Sequence, residues 1–281
     1  MGIFSKLIQE LKLTKSQFSL PQSYKIYKEK NNIESRIMTA AVISIDFLDK
    51  LDPELKANNF MVFRLGSPRG TSSTHFALSK NINGWTDYFL DEELLYKEIK
   101  PEIYKLDALE SNKFIAFTLL PKLTETSLVN LCFATGIMNK ALSLDSENHQ
   151  IIPATCQSIF DFDVIPHKLL DTKWHHQKGQ VEIDALFYGE RNGIKELYLV
   201  ESKFGDTHST LAKHKLVYPY LAIKKNIPND IKIVPIYLKT SRVGNDINFK
   251  ITECEFKDGS EAISELVAKK SHHYVIENFL I

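Results

Sequence analysis

The segment Gly179-Gln180-Val181-Glu182-Ile183-Asp184-Ala185-Leu186-Phe187 and the later Leu197-Tyr198-Leu199-Val200-Glu201-Ser202-Lys203-Phe204 constrain this chain more than any other feature. In both, apolar and β-branched residues alternate with polar ones over a short run, which is the period of a β-strand. Side chains two apart on a strand share a face. Gln180, Glu182 and Asp184 are therefore expected on one face, with Val181, Ile183 and Ala185 on the other. Glu201 and Lys203 share a face with Leu199 by the same rule. Gly189, Asn192 and Gly193 supply turn chemistry between the two runs, so a hairpin can set Asp184 beside Glu201 and Lys203. Two carboxylates and an ammonium within apolar strands are costly to hold there without partners. Chemistry is expected at that point.

The rest of the chain reads as alternating helices and strands. Helical spacing covers residues 3–13, and a second helix or helix pair is expected over Ile33–Leu51, interrupted at Asp52-Pro53. Strands are expected at 60–65 and 74–78, a charged helical stretch over Asp91–Leu106 interrupted at Pro101, and a strand over 113–120. Thr124 is placed to cap a helix running to about Leu142. A strand at 158–165, the hairpin, a helix over Thr207–Lys225 with Pro219 inside it, strands at 231–238 and 247–256, and a closing helix over 260–275 complete the order. The loop 66–73 superficially resembles a phosphate loop but lacks its lysine and its spacing. Its small hydroxyl residues suit either an exposed hairpin tip or contact with a phosphate backbone, with Arg64 and Arg69 as the candidates.

Whole-chain properties exclude little. Formal net charge is +0, so no global field points to a nucleic acid, although a local basic groove is compatible with that sum. Cys132, Cys156 and Cys254 are far apart with no CxxC pair, which fits a reducing, cytoplasmic compartment and no cysteine-based zinc site. No apolar run approaches a membrane span, and no cleavable signal pattern opens the sequence. The adjacent pairs His175-His176 and His272-His273 lack the HxxxH or HExxH geometry of a zinc enzyme, and no GxSxG elbow or Rossmann fingerprint is present.

Asp184 followed by Glu201-Ser202-Lys203, within a helix–three strands–helix–strand order, resembles the PD-(D/E)xK nuclease superfamily, the restriction-endonuclease-like fold. The resemblance covers about residues 124–238. Ile183 stands where the family pattern has proline, and His214 stands where RecB-type relatives carry glutamine in QxxxY, with Tyr218 in place, which weakens a RecB-type assignment. The resemblance implies an α/β (α+β) fold, a mixed sheet flanked by helices, in a nuclease-like domain at 121–281. An N-terminal α/β module at 1–120 precedes it, suited to contacting DNA or a second subunit.

It further implies a Mg²⁺-dependent endonuclease, most simply a restriction-type enzyme acting on double-stranded DNA as a homodimer. The alternatives are a repair, junction or transposon nuclease of the same fold, or a DNA-binding protein that does not cleave. Asp184 and Glu201 would ligate the metal, with the Ser202 carbonyl, and Lys203 would orient or help deprotonate the attacking water. Glu125 matches the glutamate that often joins such a site from the preceding helix. Glu182 and Gln180 are secondary candidates on the Asp184 face. Lys173, Lys178, Lys213 and Lys215 are candidates for a phosphate-binding groove or a solvated charged face.

Overall fold

The computed structural model describes residues 2–33, 39–68, 73–106, 112–120, 122–145, 151–228 and 230–279. Numbered along the chain, its strands are β1 (Gln22–Ser23), β2 (Phe60–Arg64), β3 (His75–Lys80), β4 (Phe89–Asp91), β5 (Glu102–Ile103) and β6 (Ala154–Val164). They continue with β7 (Trp174–Arg191), β8 (Ile194–Phe204), β9 (Thr210–Ala212), β10 (Lys232–Val243), β11 (Asp246–Phe256) and β12 (Leu266–Ile276). The β7–β8 hairpin closes on Asn192 and Gly193, both at positive φ (54° and 71°), as a two-residue type I′ turn requires. Asp145 fastens that turn by accepting both their N–H groups at 2.7 Å.

Seven strands form the central sheet in the order β5-β12-β11-β10-β8-β7-β6. β8 runs parallel to β10 and β5 parallel to β12, while the other neighbours are antiparallel. A parallel pair needs a crossover, and here β9 and the helix His214–Lys224 provide it. Alternation along β7 and β8 sorts side chains between two layers. Ala185, Phe187, Tyr198 and Val200 pack against the helices Glu125–Ala134 and Ile137–Leu142. On the other face, Trp174 and Val181 join Leu216 and Val217 of the crossover helix in a cluster that also takes in Phe4, Phe63, Phe76 and Leu266. Residues on both sides of position 120 thus share one core, and β4 pairs with β9. The protein is a mixed α/β fold with a large mixed sheet flanked by helices.

Several expected elements differ. The closing helix at 260–275 is instead a short 3-10 turn (Ile263–Glu265) followed by β12. Its apolar residues have helical spacing, but the free edge of β11 captures the segment over ten register pairs. The expected strand at 113–120 contains the helical turn Ile115–Thr118. With no strand beside it, that segment closes local bonds such as Phe117 N to Phe114 O at 2.8 Å. The stretch Asp91–Leu106 divides into a helix, Glu92–Tyr96, and β5. The helix expected at 124–142 breaks at Gly136, which adopts φ +77°. β9 takes the start of the expected 207–225 helix.

Near the N-terminus, the helices are Ser5–Thr14, at the stretch expected to be helical, Tyr24–Lys30, Thr39–Ile43 and Pro53–Ala57, with a 3-10 turn at Leu48–Lys50; part of the 33–51 expectation lies outside the described residues. So does Arg69. Among the described residues no helix is long and apolar enough to cross a membrane.

Candidate active site

Two bulges on β7 build the site. Between Phe162↔His176 and Phe160↔Gly179 the register slips by one residue, and it slips again between Cys156↔Ile183 and Ala154↔Leu186. A bulge bends its strand and re-aims the side chains beside it. The second one falls at Asp184-Ala185, so strict alternation of Gln180, Glu182 and Asp184 on one face does not hold through Asp184. There β7 and β8 part: their last register pair is Ala185↔Val200. Beyond it, Asp184 Oδ2 accepts the backbone N–H of Ser202 at 2.7 Å.

Glu201 and Lys203 stand at the same point. Lys203 Nζ donates to Glu201 Oε1 at 2.6 Å and to the Ser202 carbonyl at 2.8 Å. Glu201 is buried, 3% exposed, and burial pushes its carboxyl up to about 7 against the pull of Lys215 and Lys203. Burial works against the Lys203 charge, but Glu201, Glu125 and Asp184 outweigh it and hold the ammonium well above the ordinary lysine value.

Thr124 caps the helix that carries Glu125, accepting the Ser127 N–H at 3.2 Å. Glu125 is the first residue of that helix and half-buried. Burial raises its pKa; Lys203 and the Phe204 N–H oppose the rise, while Asp184 adds to it. The structure therefore gathers Asp184, Glu201, Lys203 and Glu125 into one electrostatic group. Glu182 is turned toward β6, where it accepts a hydrogen bond from Gln157. Glu182 and Gln180 line the rim of an adjoining cavity instead of meeting Lys203.

That cavity, about 440 Å³, is lined by Glu201, Lys215, His214 and Tyr218 together with Ser44, Asp46 and Arg64. Lys215 Nζ lies 3.6 Å from Asp46 and 3.7 Å from Glu201. Of the other lysines expected near a groove, Lys213 is buried and donates to the Ser264 carbonyl, Lys173 pairs with Asp163, and Lys178 is exposed. His176 stacks on Phe162 at 4.4 Å, folded over Gly179, where any Cβ would strike its ring. Burial lowers the pKa of His176 to about 4 and also depresses His214. Ser44 and Asp46 were not singled out by sequence, and His176 only as half of an adjacent histidine pair. Ser44 and Asp46 lie on one segment that only tertiary packing brings to His176, and no local pattern marks them.

Among the described residues, no group of three or more His, Cys, Asp or Glu side chains is gathered as a metal cage. The donors present still fit Mg²⁺, which keeps several waters and often takes only one or two protein carboxylates. The Lys203 ammonium bonds a Glu201 oxygen and the Ser202 carbonyl, so two oxygens suited to a hard cation lie together. Asp184 holds Ser202 through Oδ2, which leaves Oδ1 as a donor. The three cysteines are free thiols, Cys132 and Cys254 buried and Cys156 exposed.

Comparison with curated proteins gives no match. Residues 92–275 match a family described as a domain of unknown function, DUF6997. The matched span opens at Glu92, whose carboxylate accepts from Lys239 and Tyr237 in the central sheet, and ends within β12. It includes Glu125, Asp184, Glu201, Lys203 and Lys215, and excludes Ser44, Asp46 and Arg64. The match spans well over half of the sequence, and the chain belongs to the DUF6997 family.

Proposed function

We propose that this chain is a metal-dependent endonuclease of the restriction-endonuclease-like fold, hydrolysing phosphodiester bonds of double-stranded DNA, in a restriction-type role and as a homodimer. The observation that carries the reading is the convergence of Asp184, Glu201 and Lys203 where β7 and β8 part. Order of elements supports it: a capped helix bearing Glu125 precedes the hairpin, and a helical crossover follows it to a parallel strand.

Asp184 and Glu201, with the Ser202 carbonyl, would hold Mg²⁺. When bound, the ion supplies positive charge to the phosphoryl oxygens and acidifies a coordinated water. Lys203 keeps its proton among three carboxylates, so its part is to align the attacking water and to offset charge gathering on the phosphate. Glu125 adds negative charge on the helix side that helps Lys203 keep its proton. His176 and His214, kept neutral by burial, add no charge to the adjoining cavity.

The test is incubation of supercoiled and branched DNA with Mg²⁺ and the wild-type protein, beside Asp184→Ala and Lys203→Ala. Nicking or linearisation by the wild type alone, abolished by a chelator, is the expected result. Equal cutting by all three proteins, or none by any, would remove the assignment. Preference for branched over plasmid DNA would move the role to repair or junction processing.

A further inference from the structure

Arg64, the last residue of β2, carries a guanidinium that the protein leaves almost unused. Nη1 donates to Ser44 Oγ at 3.3 Å, and among the described residues no carboxylate pairs with it. A guanidinium has five donors, and Arg64 is half-withdrawn from water. Leaving such a charge without a counter-charge is unfavourable, yet the backbone around it is held from three sides. Arg64 pairs with Phe76 on β3, its carbonyl accepts from Tyr218 Oη at 3.1 Å, and Leu65 O and Ser67 N bond Gln177 of β7 at 3.0 and 2.7 Å.

Among the other charges on the same cavity, Glu201 is paired with Lys203 and Asp46 lies by Lys215, while Glu182 is exposed and accepts from the neutral amide of Gln157. Arg64 is the cation there with no carboxylate partner among the described residues, and Glu201 lines the same cavity. Tyr218 and the two histidines, kept neutral by burial, also line the cavity. A planar fork of donors fits a phosphate better than a point charge does.

We propose that Arg64 binds a backbone phosphate of the nucleic-acid substrate beside the scissile one, which makes the β2–β3 hairpin one wall of the substrate cleft. This rests on the nuclease reading above. It gives the segment before the family match a part in substrate binding that the carboxylate–lysine group does not supply.

The experiment measures binding of a fluorescently labelled DNA duplex by anisotropy across a salt series, with Mg²⁺ present and Lys203→Ala as the non-cutting parent. Adding Arg64→Ala should weaken binding about 10- to 100-fold and flatten the slope of log affinity against log salt by about one. Arg64→Lys, which keeps the charge, should retain the slope and recover part of the affinity. Arg64→Gln, which keeps a donor toward Ser44, guards against misfolding and should show the same loss as Arg64→Ala at an unchanged melting temperature. Arg64→Gln binding with the parent's affinity and slope would overturn the proposal. If the parent binds duplex and the wild type cuts it while Arg64→Gln is unaffected, only this proposal falls. If the parent does not bind and the wild type does not cut, the nuclease reading falls with it.

Discussion

Asp184 Oδ2 and the Ser202 N–H form a 2.7 Å bond at the point where the β7–β8 ladder stops. One side chain thus does the work of the missing ladder bond with one of its two oxygens. The two roles separate on substitution. Asp184→Asn retains an oxygen that accepts from Ser202 and should melt within a few degrees of the wild type, while DNA cleavage falls at least ~100-fold for loss of the charge. Asp184→Ala orphans the Ser202 N–H and should also lose about 1–3 kcal/mol of stability. Thermal melting read beside plasmid cleavage checks both; Asp184→Asn cutting at the wild-type rate would refute the metal role.

Glu125 faces Lys203 from the start of a capped helix. Glu125→Gln keeps the shape and removes the charge that helps hold the ammonium. Groups that orient a metal site from outside it typically matter about 10- to 100-fold, and a drop of that order in cleavage rate is expected, with the Mg²⁺ dependence moved to higher concentration. A Mg²⁺ titration of initial rates reads this directly. An unchanged curve would return Glu125 to stabilising the helix end.

Gly66 and Gly193 make a matched pair of tests. Both have positive φ, +77° and +71°, but a Cβ at Gly66 would lie 2.1 Å from the Gln177 carbonyl oxygen, whereas nothing lies within 4 Å of one at Gly193. Gly193→Ala should cost about 1 kcal/mol, the backbone term alone. Gly66→Ala should cost about 2–4 kcal/mol, because it also forces β2 away from β7. Urea unfolding of the two variants gives the comparison, and equal costs would show that this junction is loose.

His176 gives the fold a pH dependence of known sign. Its folded value of about 4 lies below the ordinary 6.5 because burial disfavours the charged ring. The unfolded chain therefore takes up a proton first as pH falls. The contribution is complete above about 6.5 and is lost on descending through 4, amounting to about 3 kcal/mol at most. His214 is shifted the same way. His176→Phe, which keeps the stack on Phe162, should flatten the decline in unfolding free energy between pH 7 and 4. A variant with the wild-type slope would exclude His176 as its source.

Much of the site was legible because a hairpin is local. Asp184, Glu201 and Lys203 sit on strands whose period and Asn-Gly turn are written in one short segment, and Thr124 marked its helix by cap chemistry alone. The face assignment failed at Asp184, since a bulge is set by the partner strand and leaves no trace in the alternation. Ser260–Val275 was misread for a related reason. Leu266, Val267 and Ile263 are spaced as in a helix, and only the waiting edge of β11 decides for a strand. Asp46 and Ser44 were invisible, because their importance lies in facing residues far away in sequence.

Phe4 and Phe76 belong to the same apolar cluster as Trp174, Val181 and Leu266. Exchanging the first hundred residues for those of another protein would strip Trp174 and Val181 of their neighbours while removing Arg64 from the cleft. The two ends of this chain are therefore poor material for recombination. Substitutions on either side of the shared interior are constrained by whether that interior still closes.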